Sequence, residues 1–132
     1  MPAGSKRKMT SREAAQKRGH RGEALAALLL RLKGHRILGR RIKTHAGEID
    51  LVALPLFGPV CFVEVKARAD ARNAADSVAP AHRTRIARAA SLYLASRPAL
   101  ARRGMRFDII AVAGSPGLFG VRHFKDVWRA DD

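Results

Sequence analysis

The chain has 132 residues, enough for one compact domain with its own hydrophobic core, because single domains commonly run to about 100–150 residues. Its 26 Lys and Arg residues against 11 Asp and Glu residues give a formal net charge of +15, which predicts a polyanionic partner, with nucleic acid as the leading candidate. No apolar run approaches the roughly 20 residues that span a bilayer, so we expect no membrane anchor.

The N-terminal segment and the cysteine content indicate the compartment. Residues 1–18 are polar and basic, which predicts a disordered tail that either attracts phosphates nonspecifically or only increases solubility. This tail lacks the apolar core and cleavage site of a secretion signal. The single cysteine, Cys61, excludes an intrachain disulfide and fits a reducing compartment. We therefore expect a cytoplasmic protein in which residues 19–132 form one domain.

The predicted domain begins with a helix. From about residue 20 to residue 33 leucines recur at helical spacing, and Gly34 is placed to end the helix in a left-handed conformation. Glu23 falls in the first turn of this predicted helix, where the helix dipole alone favours a carboxylate. The following segment, Arg36–Lys43, predicts a first strand with an irregular middle at Gly39.

Residues 47–66 predict a β-hairpin. Two runs rich in β-branched and aromatic residues are typical of buried strands. The segment PLFGP at residues 55–59 separates them, and its prolines and glycine favour a turn. The hairpin therefore supplies the second and third strands.

Four charged side chains lie on this otherwise apolar hairpin. Pairing symmetric about Phe57 places Asp50 opposite Glu64 and Glu48 opposite Lys66. Because side chains two apart on one strand point to the same face, all four should share that face. Charges near an apolar interior must be paired or hydrated, so the cluster points to chemistry. The alternative is an ordinary ion pair beside a carboxylate that caps a backbone group.

The second half of the chain predicts a helix and further strands. An apolar stripe after Pro80 predicts a second helix, and residues 105–112 predict a strand that returns parallel to the third strand. Residues 118–128 form either an edge strand or a short helix. Three arginines of the second helix lie outside its apolar stripe and either bind nucleic acid or form a solvated basic face: Arg83, Arg85 and Arg88.

These residues carry a family resemblance. Asp50, thirteen intervening residues and then Glu64-Val65-Lys66 resemble the PD-(D/E)XK nuclease signature. Residues 19–112 more closely resemble the YraN family of predicted endonuclease-like proteins. The motifs that carry this likeness are Gly22-Glu23, Gly47-Glu48-Ile49-Asp50-Leu51, Phe62-Val63-Glu64-Val65-Lys66, Ala89-Ala90 and Arg106-Phe107-Asp108. The resemblance implies a three-layer, restriction-endonuclease-like α/β fold whose mixed sheet has an α-β-β-β-α-β core flanked by helices.

The resemblance also implies a function. It predicts a metal-dependent nuclease that hydrolyses phosphodiester bonds in DNA, with branched or damaged DNA suggested by analogy with resolvases. Mg²⁺, or Mn²⁺ in its place, would be held by Asp50, Glu64 and the Val65 carbonyl, while Lys66 would orient or activate the attacking water. Glu23 resembles the helix carboxylate that assists metal binding in some resolvase-like members.

Several roles stay open at the level of sequence. Glu48 is either a further ligand or, as we favour, a supporting ion-pair partner of Lys66. His82 stands where the family pattern tends to have lysine, and it either touches phosphate or has no role. Asp108 is left outside the catalytic set, as a structural partner of Arg106. The alternative function is a noncatalytic nucleic-acid-binding or assembly protein that retains the fold, and homodimer formation is undetermined.

Overall fold

The computed structural model of the protein describes residues 10–67, 75–112 and 120–130. Its element order confirms the predicted sequence of a helix, three strands, a helix and a strand. A short 3₁₀ turn at Ala75–Ser77 precedes the second long helix, and a fifth strand resolves the alternative left open for residues 118–128. The elements are α1 (Ser11–Leu32), β1 (Arg36–Lys43), β2 (Glu48–Leu54), β3 (Val60–Lys66), α2 (Pro80–Ala95), α3 (Pro98–Ala101), β4 (Met105–Val112) and β5 (Val121–Trp128).

The five strands form one mixed sheet in the order β1-β2-β3-β4-β5. β1, β2 and β3 make an antiparallel meander, β4 returns parallel to β3 as predicted, and β5 closes the sheet as an antiparallel edge strand. The irregular middle of β1 is confirmed as a shift in register between Ile37 and Gly39. A mixed α/β fold is therefore established, while its restriction-endonuclease-like class remains a prediction.

Helices cover both faces of this sheet. Phe62 packs in a core that includes Ile86 and Tyr93 of α2, whereas its neighbour Val63 packs with Leu30 of α1. Because successive side chains of a strand point to opposite faces, the two helices lie on opposite sides. Within the described ranges, no helix is long and apolar enough to cross a bilayer.

The first helix is longer than the sequence analysis predicts. The Thr10 hydroxyl accepts the Glu13 N–H at 3.1 Å, and the Glu13 carboxylate accepts the Thr10 N–H at 3.3 Å. This capping box satisfies two free N–H groups and starts α1 at Ser11. The predicted disordered tail is therefore wrong for residues 11–18, and the rest of that prediction, residues 1–9, lies outside the described residues. At the other end Gly34 has φ +87°, which confirms the left-handed helix end.

The register of the β2–β3 hairpin is also confirmed. Its paired residues are Leu51–Val63, Val52–Phe62 and Ala53–Cys61, symmetric about Phe57. Arg103, in the turn before β4, braces the hairpin tip: its Nε donates to the Gly58 carbonyl at 2.9 Å and its guanidinium NH2 donates to the Pro55 carbonyl at 2.7 Å. The tip is thus held at both ends while its Phe57 side chain stays 85% exposed.

Phe62→Ala should lower the free energy of unfolding by about 3–5 kcal/mol, because it leaves a cavity in a closed core. The Phe62 ring is fully buried and lies 6.0 Å from the Tyr93 ring and 5.9 Å from the Phe107 ring, between centroids. Denaturant unfolding measures the loss. Phe57→Ala is the matched control, and its exposed position predicts a change within about 0.5 kcal/mol. Equal losses in the two variants would contradict this core.

Candidate functional site

The β2–β3 hairpin brings two carboxyl groups together at one end of the sheet. Asp50 and Glu64 occupy the next position of the register beyond the Leu51–Val63 pair, and their carboxyl groups are hydrogen-bonded to each other. Asp50 Oδ2 also accepts the N–H of Val65 at 2.8 Å. Glu64 is only 8% exposed. The structure therefore brings together the two acidic residues of the sequence motif.

Burial gives this pair unusual electrostatics. Desolvation, followed by the charge of Asp50, raises the pKa of Glu64 to about 8. Desolvation also raises the pKa of Asp50, although the Val65 N–H and the Glu64 hydrogen bond act in the opposite direction. At neutral pH the protonated Glu64 carboxyl donates to the Asp50 carboxylate. A cation bound by these oxygens would therefore compete with the proton that the pair holds.

Lys66 lies beside the pair, and its partner differs from the one we favoured. Its Nζ is 3.8 Å from Glu64 Oε1, and its side chain is 28% exposed. In the described part of the chain, Glu48 forms no ion pair with Lys66, so that prediction is wrong. The reason is that the paired positions of β2 and β3 end at Leu51–Val63, so Glu48 and Lys66 are not held opposite each other. Exposed Glu48 still raises the pKa of Asp50 by its charge.

Glu23 approaches the same end of the sheet from α1. Because the helix starts at Ser11, Glu23 is not in its first turn, and the dipole explanation for this carboxylate no longer applies. Glu23 is 9% exposed, and its Oε2 is buried without a hydrogen-bond partner, 3.6 Å from Arg41 Nε. Desolvation and then the charge of Asp50 raise the Glu23 pKa. A buried carboxylate oxygen without a hydrogen bond is rare in structural sites.

These carboxylates do not form a closed metal cage. Across residues 10–67, 75–112 and 120–130, no three His, Cys, Asp or Glu side chains are grouped so that they could hold one metal ion. Asp50 and Glu64 thus offer two adjacent carboxyl groups, and Glu23 is near enough for the charge of Asp50 to raise its pKa. Mg²⁺ is commonly held by one or two carboxylates and keeps several waters, so two are chemically sufficient. The role of the Val65 carbonyl as a ligand stays a prediction.

The N-terminal end of α2 lies over this region. His82 is half-buried, and its pKa is lowered by desolvation and then by the charge of Lys66. The β1–β2 turn touches the same helix, because a Cβ added at Gly47 would lie 3.3 Å from Arg85 Cβ and 3.4 Å from the Arg85 carbonyl oxygen. Any side chain at position 47 would push the turn away from α2. Glycine there lets Glu48 and Asp50 start directly beneath the helix.

The three predicted nucleic-acid-binding arginines of α2 have different surroundings. Arg83 Nε donates to the Val78 carbonyl at 2.8 Å, and its NH2 group lies 3.7 Å from Asp76 Oδ1. Arg83 thus holds the segment that leads into α2, which gives it a structural role. Arg85 and Arg88 are exposed, so nucleic-acid binding remains a prediction for them.

Asp108 belongs to a separate network on the side of the sheet that faces α1, which the sequence analysis only partly identified. It is fully buried, with two hydrogen bonds from Arg106 at 2.9 Å and one from the Asp126 N–H at 3.0 Å. His123 Nε2 lies 2.8 Å from Asp108, and His123 Nδ1 lies 2.7 Å from Lys33 Nζ. Because an ammonium only donates, Nδ1 must accept and Nε2 must donate to Asp108. These hydrogen bonds give Asp108 a structural role. The contact of His123 with Asp108 follows from the pairing of β4 with β5, which the sequence alone does not show.

Comparison with known proteins places the chain in a family. The model of the uncharacterised protein family UPF0102 matches residues 22–112. A UPF0102 protein of Paramagnetospirillum magneticum is 50% identical over 123 residues, which cover 90% of this chain and 92% of that protein. A UPF0102 protein of Acidiphilium cryptum is 39% identical over 128 residues, covering 97% and 96%. These matches confirm the YraN-like family, and the endonuclease-like superfamily remains a prediction.

Asp108→Asn should make the stability of the protein less dependent on acid pH. Burial alone would raise the pKa of Asp108, but hydrogen bonds from His123, Arg106 and the Asp126 amide lower it from 3.8 to about 2. The ionised group therefore stabilises the fold above pH 4, and this contribution is lost as the pH falls toward 2. We expect the variant to be about 3 kcal/mol less stable at pH 7 in urea unfolding.

The difference between wild type and Asp108→Asn should shrink between pH 4 and pH 2. Asp126→Asn is the control, because the main-chain N–H of Asp126, not its exposed carboxylate, contacts Asp108. It should change stability by less than about 1 kcal/mol. A wild-type advantage over Asp108→Asn that stayed constant down to pH 2 would refute the ionised network.

Proposed function

The chain belongs to the uncharacterised protein family UPF0102, and we propose that it is a metal-dependent nuclease that hydrolyses phosphodiester bonds in nucleic acid, with DNA as the favoured substrate. The observation that carries this proposal is the hydrogen-bonded carboxyl pair of half-buried Asp50 and buried Glu64 with Lys66 beside it. Two carboxyl groups buried together oppose folding, because each loses water and one is kept protonated. Strongly perturbed carboxyl groups of this kind cluster at functional sites.

The residues at this site fit a hard divalent cation. Asp50 and Glu64 offer adjacent carboxylate oxygens, and the buried Oε2 of Glu23 has no hydrogen bond in the described structure. Asp50 and Glu64 would hold Mg²⁺ or Mn²⁺ in exchange for their shared proton, together with the Val65 carbonyl. When bound, the cation supplies positive charge that stabilises the negative charge developing on the phosphate.

The other charged groups of the site would position water and substrate. The Lys66 ammonium has three N–H donors and is held near Glu64, so it orients the attacking water by hydrogen bonding. Glu23 Oε2 accepts a hydrogen bond from a water at the same end of the sheet. Glu48 supports the site through its charge, which favours binding of the cation by Asp50. The net charge of +15 and the exposed Arg85 and Arg88 attract the phosphates.

A second candidate function is noncatalytic binding of nucleic acid or support of an assembly. The absence of a group of three metal-ligating side chains in the described ranges favours it, because two carboxylates hold a cation less tightly than three. The basic charge alone would serve such a protein equally well. The two functions differ in one observable property, which is metal-dependent cleavage.

Purified protein should cleave DNA in the presence of Mg²⁺ and lose this activity in chelator. Duplex, single-stranded and four-way-junction DNA are the substrates to compare, the last by analogy with resolvases. Asp50→Asn, Glu64→Gln and Lys66→Met should each lower the cleavage rate by about 100-fold or more, because each removes a charge or donor at the reacting phosphate. Glu23→Gln should cause a smaller loss, of about 10-fold, because Glu23 would act through water and is not one of the two proposed carboxylate ligands.

Asp126→Asn is the matched control for the cleavage assay, since this carboxylate is exposed and pairs only with Arg129 in the described structure. It should retain full activity. Cleavage that persisted in both Asp50→Asn and Lys66→Met would reject the proposed site. Robust DNA binding without metal-dependent cleavage of any of the three substrates would favour the noncatalytic function.

Metal binding should also be detectable without substrate. At a Mn²⁺ concentration of about 100 times its Kd, the free energy of unfolding should rise by about 2.7 kcal/mol, because the cation binds only the folded protein. A thermal shift with titrated Mn²⁺ measures this, and calorimetry measures the affinity directly. Asp50→Asn with Glu64→Gln should abolish the shift, while Asp126→Asn should preserve it. An unchanged shift in the double variant would place the cation elsewhere.

A further inference from the structure

An open groove of about 710 Å³ lies between the β1–β2 turn and the outer surface of α2. His45 and Ala46 line it on the turn, and Thr84, Arg88 and Ser91 line it on the helix. The three helix residues are spaced by four and three positions, so they form one continuous face of α2. The groove is thus a surface channel with one wall from a helix and the other from a turn.

The groove begins next to the proposed nuclease site. Gly47 follows its turn wall and touches Arg85, while His82, at the start of the same helix, lies within reach of the Lys66 charge. A helix rises about 1.5 Å per residue, so Arg88 and Ser91 lie about 9 and 14 Å beyond His82 along the axis. At about 3.4 Å per nucleotide, these distances correspond to about three and four nucleotides of one strand.

The lining favours an anionic chain. Arg88 is exposed and supplies a permanent positive charge, and none of the residues that line the groove is acidic. This contrasts with the neighbouring site, where carboxyl groups dominate. Ala87, 8% exposed, forms a small-residue floor, and half-exposed Leu92 offers an apolar surface at the rim. The positive charge of Arg88, the small side chain of Ala87 at the floor and the apolar side chain of Leu92 at the rim together suit a chain of phosphates joined by sugars.

We infer that this groove holds the sugar–phosphate backbone of one nucleic-acid strand, a few nucleotides from the phosphate at Asp50 and Glu64. The position of that phosphate rests on the proposed function, whereas the groove and its charge do not. Arg88 contacts a phosphate in this arrangement, and the Ser91 side chain faces the strand. The groove thereby fixes the direction in which the substrate strand leaves the site along α2.

Binding in chelator tests the groove without requiring cleavage. Arg88→Glu should weaken the binding of a fluorescein-labelled 20-nucleotide DNA strand by about 5- to 10-fold in anisotropy. The slope of log affinity against log salt should fall by about 0.7, because one phosphate contact is lost. Arg102→Glu is the matched control: it makes the same charge change at an exposed residue beyond the end of α3. Equal losses in the two variants would overturn the inference.

A tethering experiment then locates the strand without a change of charge. Ser91→Cys should form disulfides with oligonucleotides that carry one thiol, and the yield should peak at a single thiol position along the strand. The native Cys61 is buried, so the unmodified protein sets the background. Ser96→Cys is the control, since Ser96 is exposed at the end of α2 and does not line the groove. Yields that match this control at every position would overturn the inference.

The outcomes separate the groove from the nuclease activity. A protein that never cleaves DNA but shows the Arg88 effect and the Ser91 peak would retain the groove and lose the proposed function. A protein that cleaves through Asp50 and Glu64 but shows neither effect would retain the function and lose the groove. If the protein bound an acidic protein segment in place of DNA, and if Arg88→Glu weakened that binding while Arg102→Glu did not, the assignment of the ligand would be overturned.

Discussion

A buried carboxyl group, Glu64, next to a half-buried one, Asp50, imposes the constraint around which this protein is arranged. Asp50 and Glu64 lie at one end of a sheet whose remaining positions on β2 and β3 are almost all apolar. Their neighbours do little to relieve the burial: one backbone N–H reaches Asp50, and Lys66 lies 3.8 Å from Glu64. The fold tolerates the free-energy cost of burying these carboxyl groups, because its two cores, one under each helix, bury many apolar side chains. Stability is therefore supplied by the helix-covered faces, and the end of the sheet is left free for chemistry.

Asp108 shows how the same fold treats a carboxylate that serves stability. It receives hydrogen bonds from Arg106, His123 and the Asp126 amide, and its pKa is lowered to about 2. Glu64 is nearly as buried, but its pKa is raised to about 8. Burial is common to both, so the number of donors decides the direction of the shift. The Asp108 network is electrostatically satisfied without any ligand, whereas the Asp50–Glu64 pair would gain most from a bound cation.

Sequence reasoning succeeded where local rules determine the structure. The turn residues 55–59 and the apolar strands define the hairpin register, so the contact of Asp50 with Glu64 was predictable. The spacing of Thr10 and Glu13 encodes the start of α1 too, although the polar composition of that segment favours disorder. The ion-pair partner of Lys66 depends on where the pairing of β2 with β3 ends. The contacts of Arg83 depend on how the segment before α2 folds back onto the helix. The groove depends on the approach of a turn to a helix, which no local pattern encodes.

The Arg103 brace at the hairpin tip has a consequence for folding fidelity. Shifting β3 by one residue against β2 would exchange the two faces of the strand and send Glu64 toward the apolar core beneath α1. Such a misaligned hairpin would bury a carboxyl group with no partner, while the carbonyl groups of Pro55 and Gly58 would move away from Arg103. The aligned chain thus has an energetic advantage at both ends of the hairpin. A molecule that folds in the wrong register loses its acidic pair and its brace together, so the same contacts that form the site also favour the correct alignment.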